Sequence, residues 1–237
     1  MKLVIGGSTG FVGTELLRQA LDNPAVTSIV GISRRETKVP EGSSDNSAKL
    51  KSIVCDDLNS YPDTLKKELE DADACIWTIA VTPSKMKRHA MGGGGEGHSR
   101  LHPHCSPYHG WRAAYQRLQG TAPFRVHEWP LCPRDRSHVV KPLTNFGLVE
   151  VALLRGQLEA RILDYAEQSD GKVVACIAKP GMIHGPGMEV RTVSGLPNIE
   201  LPDIAAALLD QVVNGFEKDT LSNDDMSQLS QQVLAKK

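Results

Sequence analysis

Three glycines at a fixed spacing, Gly7, Gly10 and Gly13, are the residues whose arrangement most directly implies chemistry. They stand in Gly7-Ser8-Thr9-Gly10-Phe11-Val12-Gly13. Before them, Met1-Lys2-Leu3-Val4-Ile5-Gly6 reads as a short buried strand, and after them the apolar residues recur at helical spacing. A strand, a glycine turn and a helix start form a receptor for a dinucleotide pyrophosphate. Backbone N–H groups and the positive end of the helix dipole meet the phosphate charge there. Gly7 allows the tight turn, Gly10 the approach of the backbone to the pyrophosphate, and Gly13 the close packing of helix on strand. The spacing is G-x-x-G-x-x-G rather than G-x-G-x-x-G, so its place between strand and helix carries the specificity.

A second set of residues bears on which dinucleotide is bound. An Asp or Glu at the end of strand two accepts hydrogen bonds from the ribose hydroxyls of NAD. This chain has Ser33-Arg34-Arg35 there, and two guanidinium groups beside the ribose 2′ position suit a phosphate. NADP is therefore expected over NAD, the lesser alternative being that the two arginines simply cap a surface loop. Asp57, just past strand three and followed by Leu58, is placed to accept from the adenine amino group, unless it only begins the next loop.

The elements that position these residues follow from periodicity. A helix is expected from about Phe11 to Leu21, with Leu16, Leu17, Ala20 and Leu21 on one face. Strands are expected over Val26–Ile32, Leu50–Cys55, Ala74–Val81 and Lys172–Ala178, with a polar loop at Pro40–Ser47. Helices are expected over Tyr61–Asp71, Leu148–Ala166 and Leu201–Phe216, the last with Ile204, Leu208, Val212 and Phe216 in register. Residues 217–237 read as a polar, partly helical, peripheral tail. Strands alternating with helices imply an α/β protein with a parallel sheet and right-handed crossovers.

Bulk properties narrow the classes. The 237 residues suffice for a single domain, 40% hydrophobic and 23% charged. A net charge of -1 argues against broad binding to nucleic acid or anionic membrane. No apolar run reaches the roughly 20 residues of a membrane span, and because the first residues read directly as strand one, no signal segment is expected. Five scattered cysteines, of which Cys55, Cys75 and Cys176 fall in or beside strands, read as buried free thiols and fit a reducing cytoplasm.

The glycine motif, Asp57-Leu58 and Lys179-Pro180-Gly181-Met182-Ile183-His184-Gly185-Pro186-Gly187 together resemble the extended and atypical short-chain dehydrogenase/reductases. The last segment resembles that family's R-P-G-x-x-Y-G-P-G loop, which closes over the nicotinamide end. More narrowly, residues 1–87 and 133–220 are similar to fungal nucleoside-diphosphate-sugar epimerase-like proteins. The resemblance implies a Rossmann-type doubly wound parallel sheet with a small C-terminal helical substrate lobe. It also implies cofactor contacts from Gly7 to Gly13, from Ser33, Arg34, Arg35, Asp57 and Leu58, and from Ile79, Ala80, Pro180 and Gly181. The family carries a Tyr-x-x-x-Lys pair on the long helix after strand five, where the tyrosine moves the proton and the lysine lowers its pKa. Here Arg155 stands at the lysine place, as a further cofactor contact, and Val151 at the tyrosine place. Valine moves no proton. His184 takes a loop position often held by tyrosine and is read first as filling it, and only second as a remaining candidate acid. The family-like reading is thus either an oxidoreductase or epimerase-like enzyme, or a non-catalytic NADP-binding sensor or scaffold.

Residues 88–131 depart from this pattern, with four consecutive glycines (Gly92 to Gly95) and six of the eight histidines. His98, His102, His104, Cys105 and His109 are potential ligands, but structural-zinc spacing is absent and no metal site is expected. A long lid is a second account. A third explains more. Shifting the frame by one base lets Met91–His104 encode Trp-Glu-Glu-Val-Val-Lys-Val and then Asp-Tyr-Thr-Leu, an amphipathic helix. The same operation on Val126-His127-Glu128-Trp129-Pro130 allows Phe-Met-Ser-Gly, which restores a serine at the end of strand five. A frame-shifted gene model, with a degenerate product, is the favoured account. Peptides recovered from Gly92 to Trp129 as written would exclude it. Read literally, strand five becomes Phe124–Trp129, with charges in the centre of the sheet. Such a strand is expected to be irregular, or not to form.

Overall fold

The computed structural model describes residues 1–43, 46–58, 62–79, 122–127, 149–190 and 192–235. The histidine-rich stretch and most of the 88–131 departure lie outside the described residues, as does Ala80. Seven parallel strands form one sheet: β1 (Lys2–Gly6), β2 (Ser28–Ser33), β3 (Leu50–Val54), β4 (Ala74–Trp77), β5 (Ala122–His127), β6 (Val173–Ala178) and β9 (Thr220–Leu221). Their order is β3-β2-β1-β4-β5-β6-β9, and β7 (Met182–His184) and β8 (Asn198–Glu200) pair separately. Helices α1 (Phe11–Asp22), α2 (Asp63–Leu69), α3 (Val149–Glu167), α4 (Leu201–Asn214) and α5 (Asn223–Leu234), with a 3-10 turn at Asn46–Lys49, complete the described elements. The doubly wound α/β fold expected from the sequence is present. Its strand order reverses between β1 and β4, which opens a crevice at their carboxyl ends. No helix of the described residues is long and apolar enough to cross a membrane.

The alternation of β1 explains the layering. Leu3 and Ile5 face one side and join a core with Leu16, Leu17, Ala20 and Leu21 of α1 and Ile204, Leu208 and Val212 of α4. Val4 faces the other side, with Val30, Ile32, Leu65, Leu69, Trp77 and Ile162. All four residues expected on the buried face of α1 are 0% exposed. Each such leucine is worth about 2–5 kcal/mol against alanine. Gln19 adds a polar tie, its Nε2 donating to the Pro202 carbonyl at 2.9 Å and joining α1 to α4.

Several element boundaries depart from expectation. β2 begins at Ser28 because the Asn23–Val26 turn precedes it, with the Val26 N–H donating to the Asn23 carbonyl. β4 stops at Trp77, and α4 stops at Asn214, where Gly215 turns to φ 87°. Phe216 therefore packs on the core from beyond the helix end. Strand five does form. It runs Ala122–His127 rather than Phe124–Trp129, and all six residues pair in register with β6, from Ala122 opposite Val173 to His127 opposite Ala178. Six-residue β6 sets that length, and backbone pairing on both sides overrides the poor strand composition.

Residues 217–235 are less peripheral than their polarity suggests. β9 is the seventh strand of the sheet, and Met226 of α5 is 0% exposed within the core. Ser222 and Asp225 form a reciprocal capping box at the start of α5. The Lys218 ammonium lies 2.5 Å from the Asp225 carboxylate. First Lys218 and then Ser222 hold the Asp225 carboxyl down at about 2. A depressed carboxyl stabilises the fold above its unfolded value of roughly 4 and loses that contribution as pH falls through the folded value. Asp225→Asn is expected to cost about 1 kcal/mol at neutral pH. In urea melts the gap from wild type should close between about pH 5 and about pH 2. An equal gap at both ends would show that the carboxylate charge is not responsible.

Candidate functional site

The glycine segment sits where β1 ends and α1 begins, at the crevice of the sheet. Gly7 holds φ 84°, and its N–H donates to the Ile32 carbonyl at 2.8 Å, anchoring the turn to β2. The Gly10 N–H then donates to the Gly7 carbonyl at 2.8 Å. Gly13 is pressed against this turn. A Cβ there would lie 2.1 Å from the Gly7 carbonyl oxygen. Helix α1 has no side-chain cap at Gly10 and no acidic residue in its first turn. Its first N–H groups have no acceptors within the helix. Gly7 thus makes a tight turn and Gly13 lets the helix start pack closely on it.

Side chains expected around this loop are distributed along the carboxyl edge. Ser8 is 1% exposed and its hydroxyl lies 2.6 Å from that of Thr37, which is 5% exposed. Ser33 is buried at the end of β2, while Arg34 and Arg35 are exposed just beyond it. Asp57 is exposed and Leu58 half-buried after β3, beside Cys55, whose Sγ donates to the Asp57 carbonyl at 3.3 Å. Burial first, and then the Asp57 and Asp56 charges, push the Cys55 thiol up. Burial alone does the same to Cys75. Cys55, Cys75 and Cys176 are buried thiols outside any disulfide, as expected. Thr78 and Ile79 follow β4 directly against the glycine turn, and the Thr78 hydroxyl donates to the Gly6 carbonyl at 2.8 Å.

The opposite wall is built by α3 and the loop after β6. Val151 falls in the first turn of α3, and Arg155 is half-buried one turn later. Glu159, a further turn along the same face, has a side chain 3% exposed and pairs with Lys179 at 2.5 Å. This ion pair joins the end of β6 to α3. Beyond it, Pro180 and Gly181 are buried. The Gly181 N–H donates to Asn223 Oδ1 at 2.9 Å, and the Met182 N–H to the Pro197 carbonyl at 2.8 Å. The segment expected to be a closing loop instead enters β7, where His184 is 4% exposed. His184 Nε2 has no hydrogen-bond partner among the described residues. A Cβ on Gly185 would meet the Phe11 ring at 3.0 Å, so this lobe abuts the start of α1.

Sequence reasoning missed Thr37, Thr78, Glu159 and Asn223. Glu159 had a usable signal, since it follows Arg155 by four residues on one helical face. The other three gain their roles from contacts across the sheet and carry no local signal. Ala80 lies outside the described residues.

No family model matches this chain. A 78-residue stretch is 35% identical to leucinostatins biosynthesis cluster protein T of Purpureocillium lilacinum. That stretch is 33% of this chain and spans only 27% of the curated relative. Among solved structures, the oxidoreductase ylbE from Lactococcus lactis is similar with a TM-score of 0.60 and 16% identity. The match covers 99% of this chain and 97% of that one. Yeast methylglyoxal/isovaleraldehyde reductase complexed with NADPH gives a TM-score of 0.61 at 12% identity, over 94% of this chain and 77% of the other. At these identities the likeness establishes the fold.

Proposed function

We propose that this chain binds NADP(H) in the crevice at the carboxyl ends of β1 and β4, on a fold of the short-chain dehydrogenase/reductase type. The observation that carries the reading is the uncapped start of α1 with Gly13 packed on the Gly7 carbonyl. Such an arrangement suits a pyrophosphate, whose charge would meet the helix start. Arg34 and Arg35 would hold the 2′-phosphate, Asp57 and Leu58 the adenine, and Ile79, Pro180 and Gly181 the nicotinamide half. Arg155 would bind the nicotinamide ribose from α3. The fold is one that carries NADPH in a yeast reductase, which supports the cofactor class.

Binding and catalysis separate at Val151. A bound nicotinamide supplies hydride chemistry, but carbonyl reduction also needs a proton donor beside the substrate oxygen. Valine at the tyrosine place supplies none, which favours a non-catalytic dinucleotide-binding protein over a working oxidoreductase. NADPH titration followed by fluorescence should show saturable binding, with NADH weaker by about tenfold or more. Arg34→Ala with Arg35→Ala should remove that preference and leave NADH binding unchanged. A carbonyl panel should give no NADPH consumption. Equal affinity for the two cofactors in wild type would refute the NADP assignment, and sustained turnover would refute the non-catalytic one.

A further inference from the structure

The segment carrying Arg34 and Arg35 is pinned at both ends by buried hydroxyl groups. At the near end, Ser33 is 5% exposed, and its hydroxyl donates to the Arg35 carbonyl. The Arg35 N–H reaches back to the Ser33 hydroxyl oxygen at 3.3 Å, closing a tight side-chain turn. The Ser33 carbonyl accepts from the Cys55 N–H at 2.8 Å, which holds that end to the chain leaving β3. At the far end, the Thr37 N–H donates to Ser52 Oγ of β3 at 2.7 Å. Its hydroxyl meets Ser8 Oγ at 2.6 Å, inside the glycine loop itself. Gly31 makes room for that contact, because a Cβ there would stand 3.1 Å from both oxygens. Between the two anchors only Arg34, Arg35 and Glu36 are exposed.

We infer that Thr37 is a specificity-positioning residue: its hydroxyl bond to Ser8 fixes the arginine turn relative to the pyrophosphate loop, so that a 2′-phosphate meets guanidinium groups already in place. This rests on the NADP reading above. The pyrophosphate and the 2′-phosphate of one ligand would then be read by two loops that share a single buried hydrogen bond. An exposed, flexible pair of arginines discriminates poorly, because ordering them offsets much of the charge attraction. Fixing the backbone at both ends removes part of that cost before the ligand arrives.

Thr37→Val keeps the side-chain shape and the backbone N–H bond to Ser52 but deletes the bond to Ser8. The NADPH-to-NADH affinity ratio should fall about tenfold, the size of one buried hydrogen bond, with NADH affinity changing by less than about threefold. Thr37→Ser, which restores the hydroxyl, should restore the ratio. In the unliganded protein, trypsin should cleave after Arg34 and Arg35 about tenfold faster in Thr37→Val than in wild type, because the turn is no longer held. If wild type prefers NADPH but Thr37→Val leaves both the ratio and the cleavage rate unchanged, the inference fails while the cofactor reading stands. If both affinities fall by the same factor, Thr37 serves stability only, and the inference again fails. A wild type with no preference for NADPH overturns the cofactor reading and this inference with it.

Discussion

Substituting Gly13 with alanine is expected to lower the unfolding midpoint by roughly 6–12 °C and NADPH affinity by at least about a hundredfold. The new Cβ would stand 2.1 Å from the Gly7 carbonyl oxygen, 2.8 Å from its carbon and 3.0 Å from Ser8 Cα. All three atoms are backbone, so no side chain can rotate aside. Either α1 shifts outward or the turn opens. Both displace the N–H groups from the phosphate position. Overpacking of this kind costs about 3 kcal/mol or more. Gly10 is the control, since its added Cβ would meet only the Gly7 oxygen, at 3.0 Å. Gly10→Ala should cost less than about 1 kcal/mol in stability while still impeding the ligand. Thermal melts and fluorescence titration check both. Gly13→Ala melting within about 2 °C of wild type would mean that the helix does not pack as described.

Lysine 179 is the second place where one substitution should have a large effect. Lys179→Met leaves the Glu159 carboxylate, whose side chain is 3% exposed, without its ammonium partner. Removing one member of a buried pair typically costs about 3–5 kcal/mol. The lower end applies here, because the Lys179 side chain is 24% exposed. Lys179→Met combined with Glu159→Gln should recover most of the loss, because the buried charge goes with its partner. Urea denaturation of the single and double variants gives the coupling directly. A double variant as unstable as Lys179→Met alone would show that the loss does not arise from the stranded charge.

How much of this was readable beforehand depended on whether the signal was local. The turn and the packing of the β1–glycine–α1 unit were legible, because turn geometry and helix packing each demand glycine at its own position. The face of α1 was legible for the same reason, since 3.6-residue spacing survives any tertiary context. β7, β8 and β9 were not legible. Strands of two or three residues carry no periodicity, and they exist because a neighbouring edge supplies partners for their backbone. β5 was misjudged in the opposite direction: its polar and proline-containing sequence argued against a central strand, yet β4 and β6 pair with it on both sides. In the site, the arginines were visible and the hydroxyl pair of Ser8 and Thr37 was not. These two residues lie 29 positions apart, on segments that only the wound sheet brings together.

The two-residue strand β9 has a kinetic meaning beyond its small share of the sheet. Its backbone covers the outer edge of β6, with the Ile177 N–H donating to the Asp219 carbonyl at 2.7 Å and the Lys179 N–H to that of Leu221 at 2.8 Å. Translation proceeds at roughly 5–20 residues per second, so that edge stands bare for several seconds after β6 emerges. During that interval a strand that is apolar on both faces, Val173 to Ala178, offers unpaired donors to any passing chain. The vulnerable interval for this protein is therefore the one between the emergence of β6 and that of β9, and what closes it is a stretch whose polarity gives no hint of the task.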